Sequence, residues 1–321
     1  MAVIRMLIAA IFCWLSLAPS VLAQSWPQRT VHLIVPLPPG TAVDVSARLF
    51  AEHLSARWKQ PVIVENIAGT DGIIATKEFV GRRDDHTLMY SFAGLMTINP
   101  LLYEKLPYDP ARDLVPIAMS SENFLAIAAS AKLQVGSLDD LVKFARSRSS
   151  KLSWAATAGL TYFAYEGFLR NVGIEMVYVP YRDFNPALSD LGQGRIEVAS
   201  AALNQLLPQS QVGQITLLAV LNKTRSPLAP NVPTVAEAGY PDLAFDGVTG
   251  FFGWRDMSPA LRDSIAADIR AVAENPSLSD RLRPIGILVR TGTPRDFSAV
   301  IEAQRSKVAA IAAAVGTKPA P

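Results

Sequence analysis

The chain has 321 residues, of which 50% are hydrophobic and 18% charged, with 30 Lys and Arg against 28 Asp and Glu. That length exceeds one ordinary hydrophobic core, and the composition excludes an intrinsically disordered chain. A formal net charge of +2, with no long run of like charge, excludes the basic footprint of a nucleic-acid-binding protein.

At the amino end, Arg5 precedes the apolar run from Met6 to Phe12, Pro19-Ser20 breaks it, and Val21-Leu22-Ala23 offers the small-x-small pattern of a cleavage site. Residues 1–23 are therefore predicted to be a removed signal peptide. The only cysteine, Cys13, lies inside it. The exported chain, from Gln24, is expected to carry no thiol, which excludes disulfides, thiolate catalysis and Cys-ligated zinc.

Short β-rich runs then alternate with helical patterns. His32-Leu33-Ile34-Val35 reads as a strand, Val43 to Trp58 as a helix, Val62-Ile63-Val64 as a strand, and a further helix precedes Leu88-Met89-Tyr90. In the first helix Val45, Leu49, Phe50, Leu54 and Trp58 recur at three-to-four spacing and predict the core face. A second series starts near Ala126-Ile127-Ala128. It continues with a helix capped at Ser137-Leu138-Asp139-Asp140 and with strands near Leu152–Ala155, Met176–Val179, Ile196–Val198 and Thr216–Val220. Ser226 to Pro233, with three prolines, reads as a semi-rigid connector, and the chain from Pro259 onward as mainly helical, including Pro259–Ala273 and Pro294–Ala314.

There is no Gly-x-Ser-x-Gly elbow, Walker A loop or His-Glu-x-x-His, and His32, His53 and His86 are isolated in sequence. No enzyme activity, metal site or cofactor is expected. What stands out is Pro36-Leu37-Pro38-Pro39-Gly40-Thr41-Ala42-Val43-Asp44, a strand-to-helix turn. Its prolines restrict the loop, Gly40 lets the backbone approach a ligand so that a side chain there would crowd it, and the helix start offers unpaired N–H groups to an anion. A merely stiff turn fits the same residues.

Several stretches, in order, resemble the Bug-type periplasmic receptors of tripartite tricarboxylate transporters. They are Trp26-Pro27-Gln28-Arg29, Ile34 to Gly40 with Asp44, Val62-Ile63-Val64-Glu65-Asn66, Asn99-Pro100-Leu101-Leu102-Tyr103, Leu106 to Pro110, Val179-Pro180-Tyr181-Arg182 and Val232 to Gly239. The resemblance covers nearly the whole exported length. It implies an α/β, type II-like Venus flytrap of two domains, each a helix-flanked, mainly parallel sheet, with the chain crossing between them twice. Domain 1 would be 24–123 plus 226–321, and domain 2 would be 124–225. It further implies a periplasmic, monomeric, non-catalytic solute-binding protein. A small di- or aromatic carboxylate would bind in the interdomain cleft and be delivered to the membrane subunits of such a transporter. A periplasmic sensor that shows its closed form to a signalling partner is the alternative.

Carried over by position, the first binding loop comprises Leu37, Pro38, Gly40, Thr41, Ala42 and Asp44, with Thr41 in place of a second glycine. The facing loop offers Thr157, Thr161 and Tyr162, and is shorter than the family's glycine- and serine-rich version; Tyr162 and Phe163 could instead pack beneath it. Strand ends that should face the cleft add Ser91, Phe92, Arg182, Asp183 and Phe184. The altered residues at Asp183, Phe184 and Ala201 imply a larger and more apolar ligand than a dicarboxylic amino acid.

Overall fold

The computed structural model describes residues 26–157, 159–181, 183–317 and 319, so the leader at 1–23 and Arg182 lie outside the described residues. In chain order, β1 (Val31–Val35), α1 (Ala42–Trp58), β2 (Val62–Asn66), α2 (Ile73–Arg82) and β3 (Thr87–Phe92) form parallel β-α-β units, with β1 between β2 and β3. The run Val31, Leu33, Ile34 and Val35 is fully buried because helices cover both faces of a parallel strand. Val43, Ala47, Leu49, Phe50 and Leu54 turn α1 onto the sheet, while Val45 and Trp58, expected in the core face, are partly buried at its edge. Burial of each such large apolar side chain contributes roughly 1.5–3 kcal/mol.

The short helices α3 (Gly94–Thr97), α4 (Asn99–Leu102) and α5 (Pro110–Asp113) lead into β4 (Leu114–Asn123), which continues through Phe124 into β5 (Leu125–Ser130) of a second sheet. That sheet is completed by β6 (Ser153–Ala156), β7 (Val177–Tyr178), β8 (Val198–Ala202) and β9 (Ile215–Val220), in the order β7-β6-β8-β5-β9. Its helices are α6 (Leu138–Ser147), α7 (Leu160–Val172), α8 (Phe184–Gln193) and α9 (Leu203–Gln211). The chain returns to the first sheet as β10 (Gly247–Trp254), followed by α10 (Pro259–Ala273), α11 (Pro276–Leu282), β11 (Ile287–Val289) and α12 (Pro294–Val315). Among the described residues, no helix is long and apolar enough to cross a membrane.

The two-domain, helix-flanked α/β architecture is the expected one, but the sheets are mixed rather than mainly parallel. The first has the order β11-β4-β10-β3-β1-β2, and β10 runs antiparallel to both β3 and β4. In the second, β5 is antiparallel to β8 and β9. The cause is the crossing itself, since strands that enter a sheet from the other lobe run against those built by β-α-β units. Periodicity did not reveal β4, β10 or β11. In β4, Pro116 and the polar Ser120-Ser121-Glu122 disguise a central strand, and the register shifts beside Phe252, the cross-strand partner of Pro116, which accommodates the missing amide.

Residues 226–246, expected to go with the first lobe, pack largely against the second. Val220 and Thr234 form a bridge, Phe245 N–H donates to Leu221 O at 2.8 Å, and Val235, Leu243 and Phe245 join the core that holds Trp154 and Phe168. The C-terminal helix α12 spans both lobes. Phe297 and Ile301 sit in the core of the first, Val308 and Ala312 in that of the second. At the crossings, Arg290 Nη1 donates to Glu122 Oε2 at 2.7 Å and Asp246 Oδ2 at 3.2 Å. The fully buried Asn222 donates to Glu122 Oε1 (2.6 Å) and Asn123 O (3.0 Å), and accepts from Leu125 N–H (3.0 Å). The strands that link the lobes are thus tied side by side by satisfied buried polar groups.

Candidate functional site

A cavity of about 700 Å³ lies between the two sheets. The first lobe supplies Pro36, Leu37, Pro38, Val43, the turn Ala68–Gly72, Phe92–Gly94, Ile98, Asn99 and Leu102. The second supplies Leu125, Thr157, Gly159, Leu160, Thr161, Ala202 and Gln205. Asn123, Gly247, Val248 and Gln304 come from the crossings and from α12. Asp71 is the charged side chain among the described residues of this lining.

Helix starts are distributed unevenly around this space. Three helices of nine or more residues open onto it: α2 from Gly72, α7 from Gly159 and α9 from Ala202. None of these N-cap residues makes a side-chain capping bond. Elsewhere, Thr41, Ser137, Asp183, Ser258, Asn275 and Thr293 cap α1, α6, α8, α10, α11 and α12 with a side-chain oxygen. Ser, Thr, Asp or Asn at the N-cap satisfies the first amides of a helix; Gly or Ala leaves them, with the positive end of the helix dipole, to whatever occupies the space ahead. The cavity therefore collects oriented N–H groups from both lobes.

The turn ahead of α2 is unusual. Gly69, Thr70, Asp71 and Gly72 have φ of 131, 44, 49 and 80°, two of them non-glycine residues in the left-handed region. Each such residue costs on the order of 1–2 kcal/mol and persists because its surroundings hold it. Here Asn99 Nδ2 donates to Asp71 O at 3.1 Å and Tyr103 Oη to Asp71 Oδ2 at 2.6 Å. Burial, reinforced by the Asp71 carboxylate, pushes the Tyr103 phenol up to about 12, so it is a donor at neutral pH.

Of the residues expected to form the site, Leu37, Pro38, Phe92, Thr157 and Thr161 line the cavity. Thr157 Oγ1 and Thr161 Oγ1 are 2.7 Å apart, and Thr161, nearly fully buried, also donates to Thr157 O at 2.6 Å, which clamps the start of α7. Gly40, Thr41, Ala42 and Asp44 shape the first loop behind the lining. Thr41 caps α1, and Asp44 accepts from Gly40 N–H at 2.8 Å and Asn66 Nδ2 at 2.8 Å and pairs with Arg48. Burial pushes the Asp44 carboxyl up, but the Gly40 amide, with Arg48 and Asn66, outweighs it and holds the group below the ordinary carboxylate value. A Cβ on Gly40 would meet no atom of the chain within 4 Å, so within the protein it is the φ of 83° that favours glycine there.

Ser91 is buried outside the lining with its hydroxyl unpaired among the described residues. Tyr162 stacks on Trp154, centroids 5.5 Å apart, and packs with Phe163 and Tyr178, which is the packing alternative for that residue. Asp183 caps α8, and Phe184 is buried in the core beneath it. Sequence reasoning passed over Gly69–Gly72, Asn123, Ala202, Gly247 and Gln304. The Gly-Thr-Asp-Gly turn after Asn66 carried a signal, whereas the others sit on strand ends and a helix face that no motif marks.

Two helix-flanked sheets joined by crossing strands, with one large cavity between them, define a periplasmic binding protein of the Venus flytrap class. Residues 46–317 match the family described as the tripartite tricarboxylate transporter family receptor, and the chain belongs to that family. It is 29% identical over 315 residues to a UPF0065 protein of Bordetella bronchiseptica, covering 98% of this chain and 93% of that one. It is 32% identical over 231 residues to the protein BugT of Bordetella pertussis, 71% of each. Among solved structures, R. palustris Rpa4515 with adipate has a TM-score of 0.79 at 29% identity, covering 92% of this chain and all of that one.

Proposed function

We propose that this protein is a periplasmic receptor, exported by its leader, that captures a small organic carboxylate in the cavity between its lobes. It delivers the ligand to the membrane subunits of a tripartite tricarboxylate transporter. The observation that carries this reading is the set of three helix starts, one from the first lobe and two from the second, that face a shared cavity without side-chain caps. The first amides of α2 and α9 already donate to Thr70 O and Phe124 O. A carboxylate supplies acceptors to the N–H groups that remain at these helix starts, and a relative of the same fold is described with adipate.

Because the amides belong to both lobes, a bound carboxylate favours whichever arrangement lets both reach it, so closure follows from extra contacts in the closed state. Pro36, Leu37, Val43, Phe92, Ile98, Leu102, Leu125, Leu160 and Val248 bury the apolar body of the ligand. The protein acts by binding and release, without catalysis, metal or cofactor, and as a monomer. In this mechanism one lobe is 26–123 with 247–293 and the other is 124–246, and α12 packs across both.

A thermal-shift screen of the purified protein against aliphatic and aromatic mono- and dicarboxylates tests the reading. A specific ligand at about 100 times its Kd adds roughly 2.7 kcal/mol and raises Tm by several degrees. A response to sugars or cations, with none to carboxylates, refutes it.

A further inference from the structure

Charge is divided unevenly across the cavity. On the second lobe, α7 and α9 open onto it from Gly159 and Ala202 with no acidic residue in the first turn, so that wall attracts an anion. On the first lobe, Asp71 immediately precedes the Gly72 cap of α2 and sets a carboxylate beside that helix start. Asp71 is exposed, and its side-chain partner is the neutral phenol of Tyr103; no guanidinium or ammonium pairs with it among the described residues.

The fold holds this carboxylate in place. Asp71 is a non-glycine residue with a φ of 49°, and strain of that kind persists only where neighbours over-determine it. The buried Asn99 donates to Asp71 O and to Tyr108 Oη, and Tyr108, itself buried, donates to Leu95 O at 3.2 Å. Tyr103 fixes the side chain through Oδ2, and no group among the described residues donates to Oδ1. A relay of buried hydrogen bonds thus supports one exposed negative charge in the wall of the cavity.

Between the two regions the lining is apolar, with Leu37, Val43, Phe92, Ile98, Leu125 and Leu160. Such a cavity suits a guest that carries opposite charges at separate points of an apolar frame. A diacid brings its second carboxylate toward Asp71 and is repelled, whereas an ammonium there gains a charge-assisted hydrogen bond. Because the uncapped starts of α7 and α9 and the Asp71 carboxylate stand on different lobes, one guest bridges them and favours closure.

We infer that the ligand is a zwitterion, a monocarboxylate whose apolar skeleton carries an amino group, and that Asp71 is the residue that selects the ammonium. This rests on the carboxylate reading above and adds the chemistry of the rest of the ligand.

The test is calorimetric titration of the purified protein with two matched sets. One is hexanoate, its α-amino and ω-amino derivatives, adipate and hexylamine; the other is para-toluate, para-(aminomethyl)benzoate, terephthalate and para-methylbenzylamine. At least one amino acid should bind about tenfold tighter than the parent acid and the diacid of its set, equivalent to about 1.4 kcal/mol. Asp71→Asn keeps an acceptor for Tyr103 and a residue type that tolerates positive φ. In it the preference should fall to within about twofold, and the diacid should bind about threefold tighter than to the wild type. These opposite movements distinguish a charge partner from a structural residue, whose loss would weaken every ligand alike. A parent acid or diacid that matches the amino acids in both sets overturns the inference while leaving the carboxylate reading intact, and so does an undiminished preference in Asp71→Asn. An amine that binds as tightly as its amino acid, or binding of no member of either set, refutes both. Should Asp71→Asn fail to fold, the wild-type ratios decide, with Asp71→Gly, which adopts positive φ freely, as the second variant and the same loss of preference expected.

Discussion

The amide of Gly40 donates to Asp44 Oδ2 at 2.8 Å, closing the proline-rich turn onto the first turn of α1. Asp44 is only 2% exposed and also holds Asn66 and Arg48, so it ties the loop that carries Leu37 and Pro38 to the strand β2 beside it. Asp44→Ala leaves the Gly40 amide without its acceptor and Asn66 Nδ2 with Leu37 O alone. It should cost about 2–4 kcal/mol in a urea unfolding experiment and weaken ligand binding through the loop. A loss below about 0.5 kcal/mol would show that the carboxylate is dispensable to the turn.

Gly40 and Gly72 both have left-handed φ, 83 and 80°, yet their surroundings differ. A Cβ on Gly72 would fall 2.7 Å from Leu95 Cδ2 and 3.1 Å from Pro36 Cβ, whereas one on Gly40 meets open space. Gly40→Ala should therefore cost only the backbone term, about 1–2 kcal/mol. Gly72→Ala should cost more and also reduce affinity, because Pro36, which it displaces, lines the cavity. Equal losses of stability in the two variants, measured side by side, would contradict this ordering.

Acid should unfold the protein partly through Asp84. Its hydrogen bond to Arg29 holds the carboxyl down at about 2 against burial, with help from His86 N–H and Thr87 Oγ1. A carboxyl depressed in the folded state contributes stability that is fully present above its unfolded value, about 4, and is lost as pH falls toward the folded one. Arg29→Gln should therefore move the circular-dichroism midpoint of an acid titration to higher pH while leaving stability near pH 7 only slightly reduced, since the pair is exposed. Coincident midpoints would assign acid unfolding to other groups.

Much of the fold was legible because local rules and tertiary packing agree. The run His32–Val35, the capping pattern at Ser137, and Pro259 and Pro294 at helix starts all mark their elements correctly. Legibility failed where a strand's identity comes from its neighbours. β4 and β10 are central strands only because each is paired on both sides, and the glycines and serines that permit this close pairing look like loop in isolation.

The candidate site divides the same way. Leu37 and Pro38 were reachable from a motif, Phe92 from the rule that ligands meet the ends of parallel strands, and Thr157 and Thr161 from the family resemblance. Asn123, Gly247 and Gln304 were not, because they lie far apart in sequence and meet only where the chain crosses between lobes.

By itself, the sequence determined the alternation of strands and helices, the stiff turn at Pro36–Gly40 and the family, since these depend on residues within a few positions of each other. The tertiary structure alone decided which helix starts face the cavity and that α12 binds both lobes. It also decided that Asp44, Tyr162 and Phe184 support the fold. Those outcomes depend on which side of a buried surface each group is packed, and that is set by contacts across the whole chain.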